Sequence, residues 1–377
     1  MSTTSNPKYA PAVAASEADR TENLRSNASP TPLPAGPAAL SGPSVLARGR
    51  LATLTGVQVL ATGSYAPAEV VRNEDLATLG YDADWILQRT GIRERRRAAE
   101  NEAASDLAYE AAIACLERAE VAPQDVDLIV LATMSGDSPT PSTACRLQHR
   151  LGCVAPAFDV SAACAGFMYA LVTGMQFVKT GSAQRALIVG SDVMSRVVNP
   201  IDKKTFPLFG DGAGAVLLGP GSEEQGMLAY MLGADGSGAD LLHVPAGGSR
   251  EPVTAESLAT GRQFMHMDGR AVFKWAVRLI VDAIREVIAH AHLTTNDIDL
   301  VVLHQANRRI IDAAASDLHI DSDRVIVNLD RYGNTSAGSI PLVLDELAAQ
   351  GRLQRGMRVL TCGFGAGLAW GAGVYQW

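Results

Sequence analysis

Apolar positions along this chain follow two alternating periods. Short apolar runs, the mark of buried strands, fall at 55–61, 127–133, 156–160, 186–191, 213–218, 227–233, 299–304, 325–329, 357–362 and 371–376. Between them lie longer stretches with apolar residues three and four apart. These predict helices near 105–119, 164–180, 271–291, 306–317 and 337–350. Strands alternating with helices imply mostly parallel sheets covered by helices, an α/β architecture.

The pattern also repeats at an offset of 172 residues. The segment Asp125–Leu131 matches Asp297–Leu303, and Leu107, Ala111, Cys115, Leu116 and Val121 fall on Leu279, Ala283, Val287, Ile288 and Leu293. The strand at Arg185–Val189 falls on Met357–Thr361, and Cys164-Ala165-Gly166 falls on Ser336-Ala337-Gly338. Four matches in one register mark a duplication. The expected organisation is an N-terminal half, 53–225, and a C-terminal half, 226–377. Packed about a pseudo-twofold axis, the halves should bring Cys164 and the region of Ser336 to one centre.

Residues 1–52 break the pattern. They are rich in Ala, Ser, Pro and Thr without a sustained apolar period, so a disordered extension is expected there. Arg20, Arg25, Arg48 and Arg50 would suit a transit peptide; Glu17, Asp19 and Glu22 argue against one.

Composition narrows the class. The chain has 377 residues, 47% of them hydrophobic, enough for a substantial core. A net charge of −8 argues against a general nucleic-acid binder. The five cysteines form no metal-binding spacing, and a reducing, cytoplasmic compartment is the simplest expectation. No apolar run reaches the roughly 18 residues of a membrane span.

Three segments carry candidate chemistry. Cys164 stands between an apolar strand and a long apolar helix. There, unpaired N–H groups and the helix dipole favour a negative charge, so a lowered pKa and a nucleophilic thiolate are expected. Alone, such a cysteine reads equally well as a buried structural residue. His304 ends a strand just before a helix, where α/β proteins place ligands. Asn334 lies in a turn leading into a helix, and alone it reads as a cap. Taken together they have a logic: Cys164 carries an acyl group, while His304 and Asn334 donate hydrogen bonds to a thioester carbonyl as it becomes an enolate. The glycine-rich segment Cys362–Gly371 reads as one side of an oxyanion hole, the Cys164 N–H as the other.

With these motifs in place the sequence resembles the β-ketoacyl-acyl-carrier-protein synthase III family of the thiolase superfamily. The resemblance runs from about Val57 to Trp377. It rests on Asp84-Trp85-Ile86 with Arg89–Arg95, Ala163–Phe167, Phe209–Gly214, His304–Asn307 and Gly333–Ala337. It implies a thiolase-like five-layer αβαβα fold, a homodimer, no metal or redox cofactor, and acyl-CoA and an acyl carrier protein as partners. The Cys-His-Asn triad falls on Cys164, His304 and Asn334, and the oxyanion hole on the N–H groups of Cys164 and Ala366. CoA contacts fall on Trp85, Arg89 and Thr90, with the pantetheine arm near Gly269, Ala306 and Asn307. Phe364 matches a phenylalanine beside the nucleophile, and carrier-protein docking falls on Lys274, Gln305, Arg308 and Arg309.

Several positions depart from the family pattern. Lys203 replaces an arginine that covers the adenine on the face opposite Trp85, and lysine cannot stack as a planar fork does. Arg270 replaces an asparagine, and Ser316 and Asp317 replace a basic pair on the docking face. Thr140 stands where a large phenylalanine often ends the acyl pocket across the dimer, so primers longer than acetyl are expected.

Overall fold

The structure is a computed structural model that describes residues 49–377. The first half runs through β1 (Gly49–Thr55), β2 (Val57–Tyr65), β3 (Glu69–Arg72), α1 (Ala83–Thr90), β4 (Glu94–Arg97) and α2 (Ala104–Ala119). It continues with β5 (Leu128–Ala132), α3 (Thr143–Leu151), β6 (Ala157–Val160), α4 (Gly166–Lys179), β7 (Ala186–Val193) and β8 (Asp211–Pro220). The second half starts with β9 (Gly226–Ala234), β10 (Leu242–His243), α5 (Ala255–Ala259), β11 (His266–Met267) and α6 (Gly269–His290). It ends with β12 (Leu300–Leu303), α7 (Arg308–Asp317), α8 (Leu329–Tyr332), α9 (Ser339–Ala349), β13 (Arg358–Gly365) and β14 (Ala369–Gln376).

Two five-stranded sheets result, ordered β2-β8-β7-β5-β6 and β1-β9-β14-β13-β12. The parallel pairs are β5 with β6 and β7, and β12 with β13; the remaining pairs in these sheets are antiparallel. α4 and α9 lie between the sheets. Phe167, Leu171 and Met175 of α4 pack with Ile340 and Leu344 of α9 against Val130 and Ile188 of one sheet and Val302 and Val359 of the other. The outer face of the first sheet is covered by Leu107, Leu116 and Leu147 of α2 and α3. That of the second is covered by Ile280, Ile284 and Ile311 of α6 and α7. Strands covered on both faces need apolar residues at every position, which is why their sequences read as continuous runs rather than alternations. The five layers αβαβα are therefore as expected, with α4 and α9 as the duplicated central pair.

Three of the segments read from the sequence take a different form in the structure. Residues 49–52 belong to β1, so the part of the expected extension within the described residues is a strand; residues 1–48 lie outside them. β1 pairs with β9 of the second half, and the strand expected at 55–61 divides at Gly56 into β1 and β2. The strand expected at 325–329 is a single parallel bridge, Val325 to Val301. Its continuation is taken over by a side chain. Gln305 donates to the Ile326 carbonyl at 3.3 Å and accepts the Asn328 N–H at 3.0 Å, satisfying the backbone without a ladder.

Candidate active site

Cys164 is delivered by the layer logic of the fold. β6 ends at Val160, one tight turn spans Ala163–Ala165, and α4 begins at Gly166. Ala163 adopts a left-handed conformation, φ 46°, as does Ser336 in the second half, φ 51°. Such conformations strain a residue with a Cβ and are kept where the surroundings over-determine them. Asp192, at the end of β7, ties the second of these turns to the first half. Its carboxylate accepts the Met134 N–H at 2.8 Å, the Thr133 hydroxyl at 3.0 Å and, across the halves, the Ala337 N–H at 3.0 Å.

Cys164 is buried, and burial pushes its thiol up to about 12, with the Asp192 charge acting in the same direction. This corrects the expectation of a lowered pKa. Removal from water outweighs the helix N-terminus in the unliganded chain, so the resting group is a thiol.

His304 follows β12, and its N–H donates to the Cys362 carbonyl at 2.8 Å. Burial holds the imidazole down at about 3, so it is neutral. Nδ1 lies 2.7 Å from the Ser339 hydroxyl, whose oxygen also accepts the Gln305 N–H at 3.5 Å. The Ser339 hydroxyl can donate to Nδ1 or accept from it, and only the tautomer in which it donates leaves the imidazole proton on Nε2. Phe364 meets the ring edge-on at 5.1 Å between centroids.

Asn334 is gripped by the first half of the chain. Its N–H donates to the Leu208 carbonyl at 2.9 Å, and its carbonyl accepts the Gly210 N–H at 3.1 Å. The side-chain oxygen accepts the Ser336 N–H at 2.8 Å, which assigns Nδ2 as the end that faces outward.

β13 closes the fourth side. A Cβ on Gly365 would lie 2.7 Å from the Cys164 nitrogen and 3.1 Å from its Cβ, so only glycine lets this strand pass the nucleophile. Ala366 follows, lining the same cavity as Cys164, His304, Asn334 and Phe364. That cavity has a volume of about 100 Å³ and apolar walls that include Met134, Phe209, Leu242, Met265 and Leu368.

The cavity opens outward. Leu208, Met267, Gly269 and Asn307 line both it and a surface groove of about 870 Å³ that holds Trp85, Arg89, Thr90 and Lys203. Ala306 lines the inner part, and Arg270 the outer. Asn307 caps α7, accepting the Arg309 N–H at 2.9 Å, and donates to the Arg89 carbonyl at 3.2 Å. The passage wall is thus tied to α1. The Thr90 hydroxyl is already engaged, donating to Ile86 at 2.7 Å and accepting the Ile92 N–H at 3.0 Å.

One expected residue is placed elsewhere. Gln305 is buried and fully occupied by Leu303, Ile326 and Asn328, which removes it from any docking face. Thr140 is exposed and does not line the cavity of its own chain. Lys274, Arg308 and Arg309 are exposed on α6 and α7. Arg308 pairs with Asp312 at 2.6 Å, and the Arg309 guanidinium lies 5.6 Å from the Phe273 ring centre. Sequence reasoning missed Asp192 and Ser339. Neither belongs to a motif, and their roles appear only when the halves meet. It also missed Tyr81, whose ring stacks on Trp85.

A buried thiol at a helix start, two neutral amide-like donors and a glycine-lined strand end, on duplicated α/β halves, define a thiolase-fold condensing acyltransferase. Residues 158–236 match the family described as 3-oxoacyl-[acyl-carrier-protein (ACP)] synthase III, and residues 288–377 match its C-terminal counterpart. A β-ketoacyl-[acyl-carrier-protein] synthase III from Rhodopirellula baltica is 54% identical over 345 residues, 87% of this chain and all of that one. Among solved structures, the 3-oxoacyl-[acyl-carrier-protein] synthase III of Aquifex aeolicus VF5 is 40% identical, with a TM-score of 0.79 over 85% of this chain and all of that one. The priming β-ketosynthase of the R1128 polyketide pathway is 36% identical, with a TM-score of 0.80 over 86% of this chain and 97% of that one. The chain belongs to the β-ketoacyl-[acyl-carrier-protein] synthase III family.

Proposed function

We propose that the protein condenses an acyl-CoA primer with malonyl-acyl carrier protein, releasing CO2 and starting a fatty acid. The observation that carries this reading is the convergence of Cys164, His304 and Asn334 on one cavity reached from the groove of Trp85 and Arg89. In the first half-reaction the Cys164 sulfur attacks the acyl-CoA carbonyl. The oxyanion takes hydrogen bonds from the N–H groups of Cys164 and Ala366, and CoA leaves as a thiol with the proton that Cys164 gives up. In the second, the malonyl thioester oxygen sits between His304 Nε2–H and Asn334 Nδ2–H. Loss of CO2 places the enolate charge on that oxygen, and the enolate carbon then attacks the acyl-cysteine. The C–S bond breaks, and the departing Cys164 sulfur takes a proton from solvent water to return to the thiol. Neutral donors suit this step, because an imidazolium would hand its proton to the enolate.

The acidic carrier protein would dock on Lys274, Arg308 and Arg309. A homodimer is supported by β6, whose outer edge is unpaired among the described residues, with Val154 and Phe177 exposed beside it. Thr140 of each chain would then face its partner's acyl pocket and leave room for primers longer than acetyl. Five unpaired cysteines fit the cytoplasm.

A second reading, priming of a specialised pathway such as a polyketide, draws on the similarity to the R1128 priming ketosynthase and on Ser316 and Asp317 in the docking face. Intact-protein mass spectrometry after incubation with acyl-CoAs from acetyl to myristoyl, with Cys164→Ala as control, tests both. Short-chain adducts that turn over with malonyl-carrier protein support initiation. Long-chain adducts that do not turn over support the second reading, and no adduct removes both.

A further inference from the structure

Arg95 of β4 is fully buried and, among the described residues, makes no ion pair. Its guanidinium forks between three neutral oxygens. It donates to the Val71 carbonyl at 3.0 Å, the Asn73 side-chain oxygen at 2.9 Å and the Pro207 carbonyl at 2.8 Å. Asn73 is itself held, its amide donating to the Ile92 carbonyl at 2.7 Å. Burial pushes Arg95 down to about 10, with Arg97 acting in the same direction, so the group stays charged at neutral pH. A buried charge is costly to desolvate, and neutral oxygens offset that cost less well than a carboxylate would. For packing alone, an apolar residue of similar volume would serve better.

What Arg95 grips lies beside Asn334. Leu208 follows Pro207, and its carbonyl accepts the Asn334 N–H at 2.9 Å. The Gly210 N–H returns to the Asn334 carbonyl at 3.1 Å, and Phe209 between them forms an isolated parallel bridge with Asn334. The Arg95 Cβ abuts both sides of this bridge. A Cβ on Gly210 would lie 3.0 Å from it, and one on Gly333 3.2 Å. Glycine at both positions lets the two segments close on one arginine. The same stretch of chain holds the loop at two further points. The Arg97 guanidinium lies 4.2 Å from the Phe206 ring centre, and the Ala98 N–H donates to Asp211 at 2.8 Å.

Among the described residues, both backbone hydrogen bonds of Asn334 go to this loop, so the loop sets the position of Asn334. We propose that Arg95 is a positioning residue for Asn334: its fork on Pro207, with its Cβ between Gly210 and Gly333, sets where Asn334 Nδ2 stands when the enolate forms. The proposal rests on Asn334 donating to that enolate in the condensing reaction. Arg95 lines neither the cavity of Cys164 nor the groove of Trp85, so its effect on the chemistry runs through Asn334. Acylation, which uses the N–H groups of Cys164 and Ala366, does not depend on it. Lysine keeps the charge but presents a point rather than a planar fork, so it does not hold Val71, Asn73 and Pro207 in the same geometry.

Carbon dioxide release from malonyl-carrier protein and single-turnover acylation by acyl-CoA test this in the full chain, Arg95→Lys, Asn334→Ala and the double variant. Arg95→Lys should slow carbon dioxide release by about 10- to 100-fold, the cost of a donor displaced by up to an ångström, and leave acylation within about twofold. In the Asn334→Ala background the same substitution should cost nothing further, because the group it positions is gone. Arg95→Gln, which buries no charge, carries the same expectations if Arg95→Lys does not fold. Undiminished carbon dioxide release, an equal loss in both half-reactions, or a full loss repeated in the Asn334→Ala background overturns the proposal alone. If the unaltered protein releases no carbon dioxide, the condensing reading falls and the proposal falls with it.

Discussion

Ser339 Oγ lies 2.7 Å from His304 Nδ1 and receives the Gln305 N–H on its other side. By donating to Nδ1, a hydroxyl so placed holds the imidazole in the tautomer that carries its proton on Nε2, the form an enolate donor requires. Ser339→Ala removes the lock and lets Nδ1 take the proton, turning an enolate donor into an acceptor. Condensation should fall about 10²-fold, the cost of losing one oxyanion donor, while acylation of Cys164 by acyl-CoA changes far less. Single-turnover acylation measured beside steady-state condensation checks this, and an equal loss in both would assign Ser339 a packing role.

Gly365→Ala should have the opposite profile. The new methyl would lie 2.7 Å from the Cys164 nitrogen, across the hydrogen-bond donor for the first oxyanion. Acylation should drop by roughly 10²–10³-fold. Decarboxylation of malonyl thioester, which uses His304 and Asn334, should be largely kept. Carbon dioxide release followed without a primer separates the two.

Neutral burial of His304 gives the fold an acid liability. Its pKa is about 3, well below the ordinary 6.5. A depressed value means the stability tied to the neutral ring is complete above about pH 6.5 and is lost as pH falls toward 3. The unfolded chain takes up a proton there that the folded one refuses. Denaturant midpoints from pH 7 to pH 4 should therefore decline less steeply in His304→Asn than in the unaltered protein. Parallel declines would show that this ring does not set the acid limit.

Asp192→Ala should be the most damaging of the buried substitutions. It strands the Met134 and Ala337 N–H groups and the Thr133 hydroxyl at the junction of the halves. A loss of roughly 3–4 kcal/mol is expected, because unpaired buried donors cost about 1–3 kcal/mol each. Urea unfolding measures it, and a loss below 1 kcal/mol would show that water replaces the carboxylate.

The layers and the meeting of Cys164, His304 and Asn334 at one cavity were legible because each rests on local pattern. The runs at Leu128–Ala132 and Leu300–Leu303 are apolar throughout, since both faces are covered, and the duplication alone sets Cys164 opposite Ser336. What could not be read depends on partners distant in sequence. The polar pair β3 and β4 joins Glu69–Arg72 to Glu94–Arg97, with no apolar alternation to announce it. The run at 325–329 has the composition of a strand but loses its ladder to the Gln305 side chain, which no propensity encodes. The thiol of Cys164 was expected low because a helix start is visible in sequence, whereas the completeness of its burial is not.

β1 has a consequence for how the chain is made. It leaves the ribosome before every other described element, yet its partner β9 begins only at Gly226. At about 5–20 residues per second, synthesis of that partner lags by roughly 10–35 s. During that interval Leu51 and Leu54 have no sheet to join, and the first half matures beside an unpaired strand. The second sheet is therefore completed by the earliest described strand, which waits until the strand beside it has been made.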